Sequence, residues 1–254
     1  MWRLRSLRQL KKAESQELGE DQNMEKKFAY KTEIHAHTKP VSACSFITPE
    51  MLVDSYVSVG AHGVTVTNHL NPKWIGGDLS YLAEKYTADY YAAKEVAEGK
   101  DLDIIFGVEI RFPENDNDYL IYGIAPEDTE EIISLIGEGI EGFYKKFKNK
   151  KNLILQAHPF RNGMVRAPLD SIDGIEVFNM HPHHNSRVGL AARYARDNDL
   201  IISGGSDYHD EGWHALCLLR TKDRLRDSYD VAEALRERDV AFDISGNIIL
   251  PYMA

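Results

Sequence analysis

The chain has 254 residues, 43% of them hydrophobic and 28% charged, enough apolar material for a sizeable core. Lysine and arginine number 30 against 40 acidic residues, a formal net charge of -10, so a long phosphate polymer meets net repulsion and no extended nucleic-acid partner is expected. Two cysteines far apart, Cys44 and Cys217, exclude a disulfide framework and imply a reducing, cytoplasmic setting.

The first stretch, MWRLRSLRQLKK, is basic, and charge interrupts its apolar residues every few positions, so neither a signal peptide nor a membrane span can be built from it. Trp2, Leu4, Leu7 and Leu10 could lie along one side of a basic amphipathic helix, but a poorly ordered extension over residues 1–28 is the simpler expectation. Met24 precedes the first strand-like segment and is an alternative translation start, which mass spectrometry of the native N-terminus would identify.

From residue 29 onward short apolar runs alternate with helical patterns, as in β/α units around a largely parallel sheet. The pattern predicts strands at 30–35, 63–69, 103–112, 119–124, 152–158, 174–179 and 200–204, and helices at 48–59, 79–98, 129–147, 186–198 and 229–238. Thr48 followed by Pro49 reads as an N-cap with proline at the first helical position, where its missing N–H costs nothing. No linker, repeat or low-complexity tract interrupts residues 29–254, so a single α/β barrel domain is expected there.

Polar residues recur where these strands end: Glu33-Ile34-His35-Ala36-His37, Thr67-Asn68-His69, Gly107-Val108-Glu109, Gln156-Ala157-His158-Pro159 and Ser206-Asp207-Tyr208-His209. In a parallel barrel the carboxyl ends of the strands open onto one face, so residues remote in sequence converge there. His35 and His37, two apart, project from the same side of an extended segment and can grip one cation, and Asp207 and His209 repeat the spacing. Imidazole and carboxylate together suit Zn²⁺, Mn²⁺ or Fe²⁺, and Glu109 has two oxygens with which to bridge a pair of ions. A lone H-x-H or strand-end acid is more often structural, but five histidines and two acids in this arrangement are hard to obtain by burial alone.

These residues resemble the polymerase and histidinol phosphatase (PHP) superfamily of metal-dependent phosphoesterases, through EIHAHT at 33–38, TPEML at 48–52, GVTVTNH at 63–69, GVEI at 107–110, AHPF at 157–160 and GSDYH at 205–209. The resemblance implies a distorted (β/α)7 TIM-like barrel with two or three divalent ions. It implies His35, His37, Glu109 and Asp207 around one ion, Glu109 and His158 at a second, and His69 and His209 at a third. Against the family pattern, Tyr119 stands in the strand after the glutamate where a histidine is frequent, Ala43-Cys44-Ser45 replaces an acid or histidine, and Asn68 replaces the aspartate before His69. Cys44 could ligate as a thiolate or be a buried inert thiol.

The stretch Asn179-Met180-His181-Pro182-His183-His184-Asn185 is either a solvated loop, with Asn185 as N-cap of the next helix, or a wall of the substrate pocket. Arg161 directly follows AHPF, where a guanidinium could fork onto phosphate oxygens; Lys39 and Arg166 are further candidates, and His62 and His214 read as structural. The reading that results is hydrolysis of a small phosphorylated metabolite or short nucleotide by a metal-activated hydroxide, with Arg161 holding the phosphoryl group and His209 or His183 protonating the leaving group. The alternatives are an amidohydrolase-type C–N hydrolase and a noncatalytic metal-binding regulatory module. No membrane partner is expected, and the sequence leaves the oligomeric state open.

Overall fold

The computed structural model describes residue 24 and residues 26–252. The amphipathic reading of residues 2–10 and most of the extension 1–28 therefore lie outside the described residues. The strands are β1 (Tyr30–Ala36), β2 (Gly63–Val66), β3 (His69–Leu70), β4 (Asp103–Phe106), β5 (Val108–Arg111), β6 (Asp118–Tyr122), β7 (Leu153–Gln156), β8 (Gly174–Asn179), β9 (Ile201–Gly205), β10 (Cys217–Thr221), β11 (Ala241–Ile244) and β12 (Asn247–Ile249). The α-helices are α1 (Pro49–Ser58), α2 (Leu79–Ala97), α3 (Thr129–Leu135), α4 (Gly139–Phe147), α5 (Val188–Asp197) and α6 (Ser228–Glu237). Among the described residues no helix is long and apolar enough to cross a membrane.

The strands form a mixed α/β fold with two six-stranded sheets, ordered β12-β11-β10-β1-β2-β4 and β3-β5-β6-β7-β8-β9. The expected closed (β/α)7 barrel is not what the ladders show. Predicted strands 63–69 and 103–112 each break in the middle, so that β2 and β4 lie in the first sheet while β3 and β5 start the second. Gly107 sits at one break; a Cβ there would lie 2.8 Å from Thr65 Cγ2 and 2.9 Å from Thr67 Cγ2. Backbone bonds still cross the break, from Gly107 N to Val66 O (3.1 Å) and from Glu109 N to Asn68 O (3.2 Å). On the other side the sheets meet through one isolated parallel bridge, Ala36 to Tyr208. The sheets are also not largely parallel: β6 is antiparallel to both β5 and β7, and β10 and β11 are antiparallel to their neighbours.

Local chemistry accounts for the helix boundaries. Thr48 Oγ1 accepts from Met51 N at 3.3 Å with Pro49 in the first turn, as the sequence suggested. The helix expected over 129–147 is interrupted by a 3₁₀ turn that ends at Gly139, whose φ of 67° takes the chain out of the helical region between α3 and α4. Asn185 does not cap α5. Its Oδ1 accepts from Arg187 N at 3.0 Å, and Arg187 itself, left-handed at φ 47°, precedes the first turn. Leu52, Val53 and Tyr56 of α1 join Ile34, Val64, Val66, Ile104 and Phe106 of the first sheet in one continuous core.

Where β9 passes β1 there is no room for a side chain: a Cβ on Gly205 would lie 2.4 Å from His35 Cβ and 3.0 Å from Glu33 Oε1. Overpacking of this kind costs about 1–3 kcal/mol. Gly205→Ala is expected to lose that much stability in urea unfolding, and an unchanged midpoint would show that the two strands are not held this close.

Candidate metal centre

The pleat of β1 sends Glu33, His35 and His37 to one side, and all three are fully buried. Glu109 comes inward from β5, with His69 directly beside it in the β3–β5 register. His158 and Asp207 follow the ends of β7 and β9, both with left-handed backbones (φ 31° and 53°), a conformation that costs a non-glycine residue about 1–3 kcal/mol and turns the chain sharply at the strand mouths.

Glu109 divides its two oxygens. Oε1 lies 3.3 Å from His35 Nε2 and 3.2 Å from His158 Nε2, while Oε2 lies 3.3 Å from His37 Nε2 and 2.9 Å from His69 Nδ1. Asp207 Oδ1 lies 3.5 Å from His35 Nε2, 3.3 Å from His37 Nε2 and 3.3 Å from His209 Nδ1. The five imidazoles expected as ligands from the sequence thus stand around the two expected acids. His35, His37 and Glu109 bring ligand atoms within 4.8 Å of one another, and so do His37, His69 and His209.

Tautomers decide whether these nitrogens can accept a cation. His35 Nδ1 is 2.7 Å from Glu176 Oε1, which can only accept, so the ring carries its proton there and turns the Nε2 lone pair inward. His209 Nδ1 is 2.9 Å from the Asp207 carbonyl and is fixed in the same way. Ser42 Oγ donates to Asn68 Oδ1 at 2.8 Å, leaving it to accept from His37 Nδ1 at 3.4 Å and from His69 N at 2.9 Å. Four buried atoms of the cluster, His35 Nε2, His37 Nε2, Glu109 Oε2 and His158 Nδ1, have no aligned hydrogen bond. Such orphans cost roughly 1–3 kcal/mol each unless another partner satisfies them. Three of the four are lone pairs facing the cluster, and nitrogen and carboxylate oxygen are the donor set of a first-row divalent cation, so the residues fit a metal.

The field agrees. Burial works to raise the pKa of Glu109 and of Asp207, yet His35 holds both well below the ordinary carboxylate range, helped by His69 for Glu109 and by hydrogen bonds from His209 and His37 for Asp207. Burial works to lower His35 and His69, but the surrounding carboxylates, Glu176 foremost for His35 and Glu109 for His69, raise both well above 6.5. His37, at the centre, is lowered well below 6.5 by burial and by the neighbouring His209 and His69. Glu33, behind the cluster, is pushed to about 7 by burial against hydrogen bonds from Ser206, His35 N and Tyr56.

Several expectations change. Tyr119 turns away: it packs on Phe112 (5.5 Å between ring centroids) and lines a separate cavity with Glu114 and Arg166. Its neighbour Asp118 faces the centre instead, with a ligand oxygen within 4.8 Å of those of His69 and Glu109, although Arg111 holds it at 2.8 and 2.7 Å. Cys44 is exposed rather than buried and lines the mouth; its thiol, raised by burial but lowered more by hydrogen bonds with His209 and His69, comes down to about 6. Asn68 braces His37 through Ser42 rather than the His69 ring. His62 accepts from Lys31 N at 3.2 Å and His214 lies edge-on to Tyr56 and Tyr208 with its buried Nδ1 unpaired; neither lines the mouth of the centre.

Above the cluster opens a cavity of about 340 Å³ lined by Cys44, Phe46, Arg111, Arg161, His181, His183, His184 and Trp213 among others. Arg161 is not free as a fork: Nη2 is 2.5 Å from Asp207 Oδ2 and 3.2 Å from Asn179 Oδ1, while Nε is buried and unpaired. His183 is exposed at the rim with its ring edge-on to Trp213 at 4.7 Å. Arg166 opens on the other cavity, and Lys39 lines neither. The sequence had not singled out Glu176, Arg111 or Ser42, because none belongs to a strand-end motif.

No protein-family model and no curated relative matches the chain. Among solved structures it is similar to PsfC from Pseudomonas syringae (TM-score 0.58, 13% identity, covering 85% of this chain and 92% of that one). It is also similar to a two-domain protein from Bacteroides vulgatus containing a predicted PHP-like metal-dependent phosphoesterase (0.55, 18%, covering 85% and 64%), so it spans under two thirds of that protein. An amidohydrolase from Chromobacterium violaceum, solved with bound sulfate and no metal, is a third (0.50, 15%, covering 87% and 98%). The chain thus shares its fold with a protein containing a PHP-like metal-dependent phosphoesterase, at an identity that speaks for the fold alone.

Proposed function

We propose that the chain is a metal-dependent phosphoesterase that hydrolyses a small phosphorylated metabolite or a short nucleotide. The observation that carries this reading is the convergence of His35, His37, His69, Glu109, His158, Asp207 and His209, with imidazole lone pairs and a bridging carboxylate left unsatisfied beneath a guanidinium-lined mouth. Two or three ions of Zn²⁺, Mn²⁺ or Fe²⁺ would find ligands there: His35, His37, Glu109 and Asp207 for one, Glu109 with His158 for a second, and His69 with His209 for a third. Divalent ions supply an acidified water, its pKa lowered from about 15.7 toward about 7, and neutralise phosphoryl oxygens.

The chain's own groups do the rest. Arg161, which lines the mouth with Nη2 held on Asp207, would offer its remaining guanidinium N–H groups to a phosphoryl oxygen. His209 has its Nδ1 proton committed to the Asp207 carbonyl, which suits a ligand better than an acid and leaves protonation of the departing oxygen to His183 at the rim. The mouth holds two guanidiniums, Arg111 and Arg161, each already paired with a carboxylate, so a preference for an anionic phosphoryl group over a neutral amide would come from bound ions and arginines together. Hydrolysis of a C–N bond, the activity named for the Chromobacterium violaceum protein, is the second reading, and a noncatalytic metal-binding module the third.

Purified protein reconstituted with Mn²⁺ is expected to cleave phosphomonoesters and not cyclic amides; the reverse preference selects the second reading, and metal binding without either activity the third. His37→Ala and Asp207→Asn should abolish turnover while the metal-free proteins keep a cooperative unfolding transition, and metal-sensitive turnover in either would overturn the site. Arg161→Ala is expected to lower kcat/KM for a phosphomonoester by roughly 10²-fold, the scale of removing one donor to a developing charge. Unchanged kcat/KM would remove Arg161 from the mechanism.

A further inference from the structure

We infer that Asn179 is a positioning residue of this centre: one buried amide holds Asp207 and Glu176 together, and through Glu176 it sets the ring of His35. The inference rests on the metal-dependent reading above.

Asn179 ends β8 and is 3% exposed. Its Nδ2 donates to Glu176 Oε2 at 3.0 Å and to Asp207 Oδ2 at 3.1 Å, so the two amide hydrogens are divided between a carboxylate within its own strand and one just past the end of β9. Its Oδ1 accepts from Arg161 Nη2 (3.2 Å), Ser186 Oγ (3.1 Å) and His181 N (3.3 Å). Three donors on one side and two acceptors on the other leave the amide a single orientation, because a flipped side chain would face donors with donors and carboxylates with an oxygen.

Each carboxylate is thereby split into an outward and an inward oxygen. Glu176 Oε2 takes Asn179 and His158 N (3.1 Å), leaving Oε1 for His35 Nδ1 at 2.7 Å. Asp207 Oδ2 takes Asn179 and Arg161, leaving Oδ1 turned to His35, His37 and His209. Outward bonds of this kind fix ligand geometry without touching the ion, and losing one typically lowers affinity about 10- to 100-fold. Asparagine suits the place because aspartate, its isostere, would put a third carboxylate against the other two and supply neither hydrogen.

The test is calorimetric titration of Mn²⁺ into metal-free full-length protein, with activity measured in parallel at limiting and at excess Mn²⁺. Asn179→Asp is expected to bind Mn²⁺ roughly 10- to 100-fold more weakly and to regain turnover as Mn²⁺ is raised into excess. A residue that only supports the fold would instead lower the unfolding midpoint of the metal-free protein and leave Mn²⁺ affinity as it was, which would overturn the inference. Glu176→Gln provides the same measurement should Asn179→Asp not fold. Its amide can accept from His35 or from the outward donors but not from both, so weaker binding is expected and wild-type affinity would refute the relay. Wild-type protein that takes up no Mn²⁺ would instead sink the metal reading, and the inference with it.

Discussion

Two carboxylates buried among five imidazoles impose the condition under which the rest of the structure is arranged. Glu109 and Asp207 are 1% and 2% exposed, and an isolated ionised carboxylate in an apolar interior costs, in the ideal limit, tens of kcal/mol. They stay ionised only because positive charge is drawn to them. His35, His69 and His209 are all raised against the pull of burial, His209 to about 9, while both acids are lowered. The same field that holds protons on these rings would hold a divalent cation. Cation and proton compete for the same lone pairs, so a metal would bind with release of protons.

The fold meets this condition by assembling the cluster at strand ends, where the backbone can turn. The pleat of β1 supplies two imidazoles on one face, and the breaks at Thr67 and Gly107 carry β3 and β5 into the second sheet so that His69 and Glu109 stand side by side. His158 and Asp207 adopt left-handed backbones that no strand would tolerate. That strain is offset by bonds available only there, from His158 N to Glu176 and from His209 Nδ1 to the Asp207 carbonyl. Gly205 lets β9 close on β1 near enough for Asp207 to reach the β1 histidines.

What could be read from the sequence follows the same division. Residues whose place depends on local periodicity were legible: the two-residue spacing of His35 and His37, the Thr48-Pro49 helix start, and an acid or imidazole near the end of five of the seven apolar runs. Residues whose place depends on register were not. Glu176 sits in the apolar run GIEVF, where a buried acid has no signal until β8 is laid beside β9 and His35 comes within reach. Tyr119 and Asp118 exchange their expected roles because the β5–β6 register, with Glu109 opposite Leu120, puts the even-numbered residues of β6 on the side of the centre. The strands β10 to β12 were missed for a different reason. Each is short, and the punctuation between the last two is Ser245-Gly246, both at positive φ, a turn signal set between runs of four and three residues, too short to show a period.

The mouth adds a constraint on the order of events. Its guanidiniums are already engaged, Arg161 with Asp207 and Arg111 with Asp118, so neither offers an uncompensated positive charge. Below them lie Glu109 and Asp207, and the chain as a whole carries a formal charge of -10. A phosphoryl dianion entering such a site without cations would meet paired arginines and buried acids, with little to repay its desolvation. Cations on the imidazoles would add positive charge to a floor where the protons on His35, His69 and His209 answer the two acids, and so would give the anion a partner that the engaged arginines do not. In the proposed reading, therefore, anion recognition belongs to the metal-loaded centre and not to the arginines alone, and ions must be in place before substrate binds.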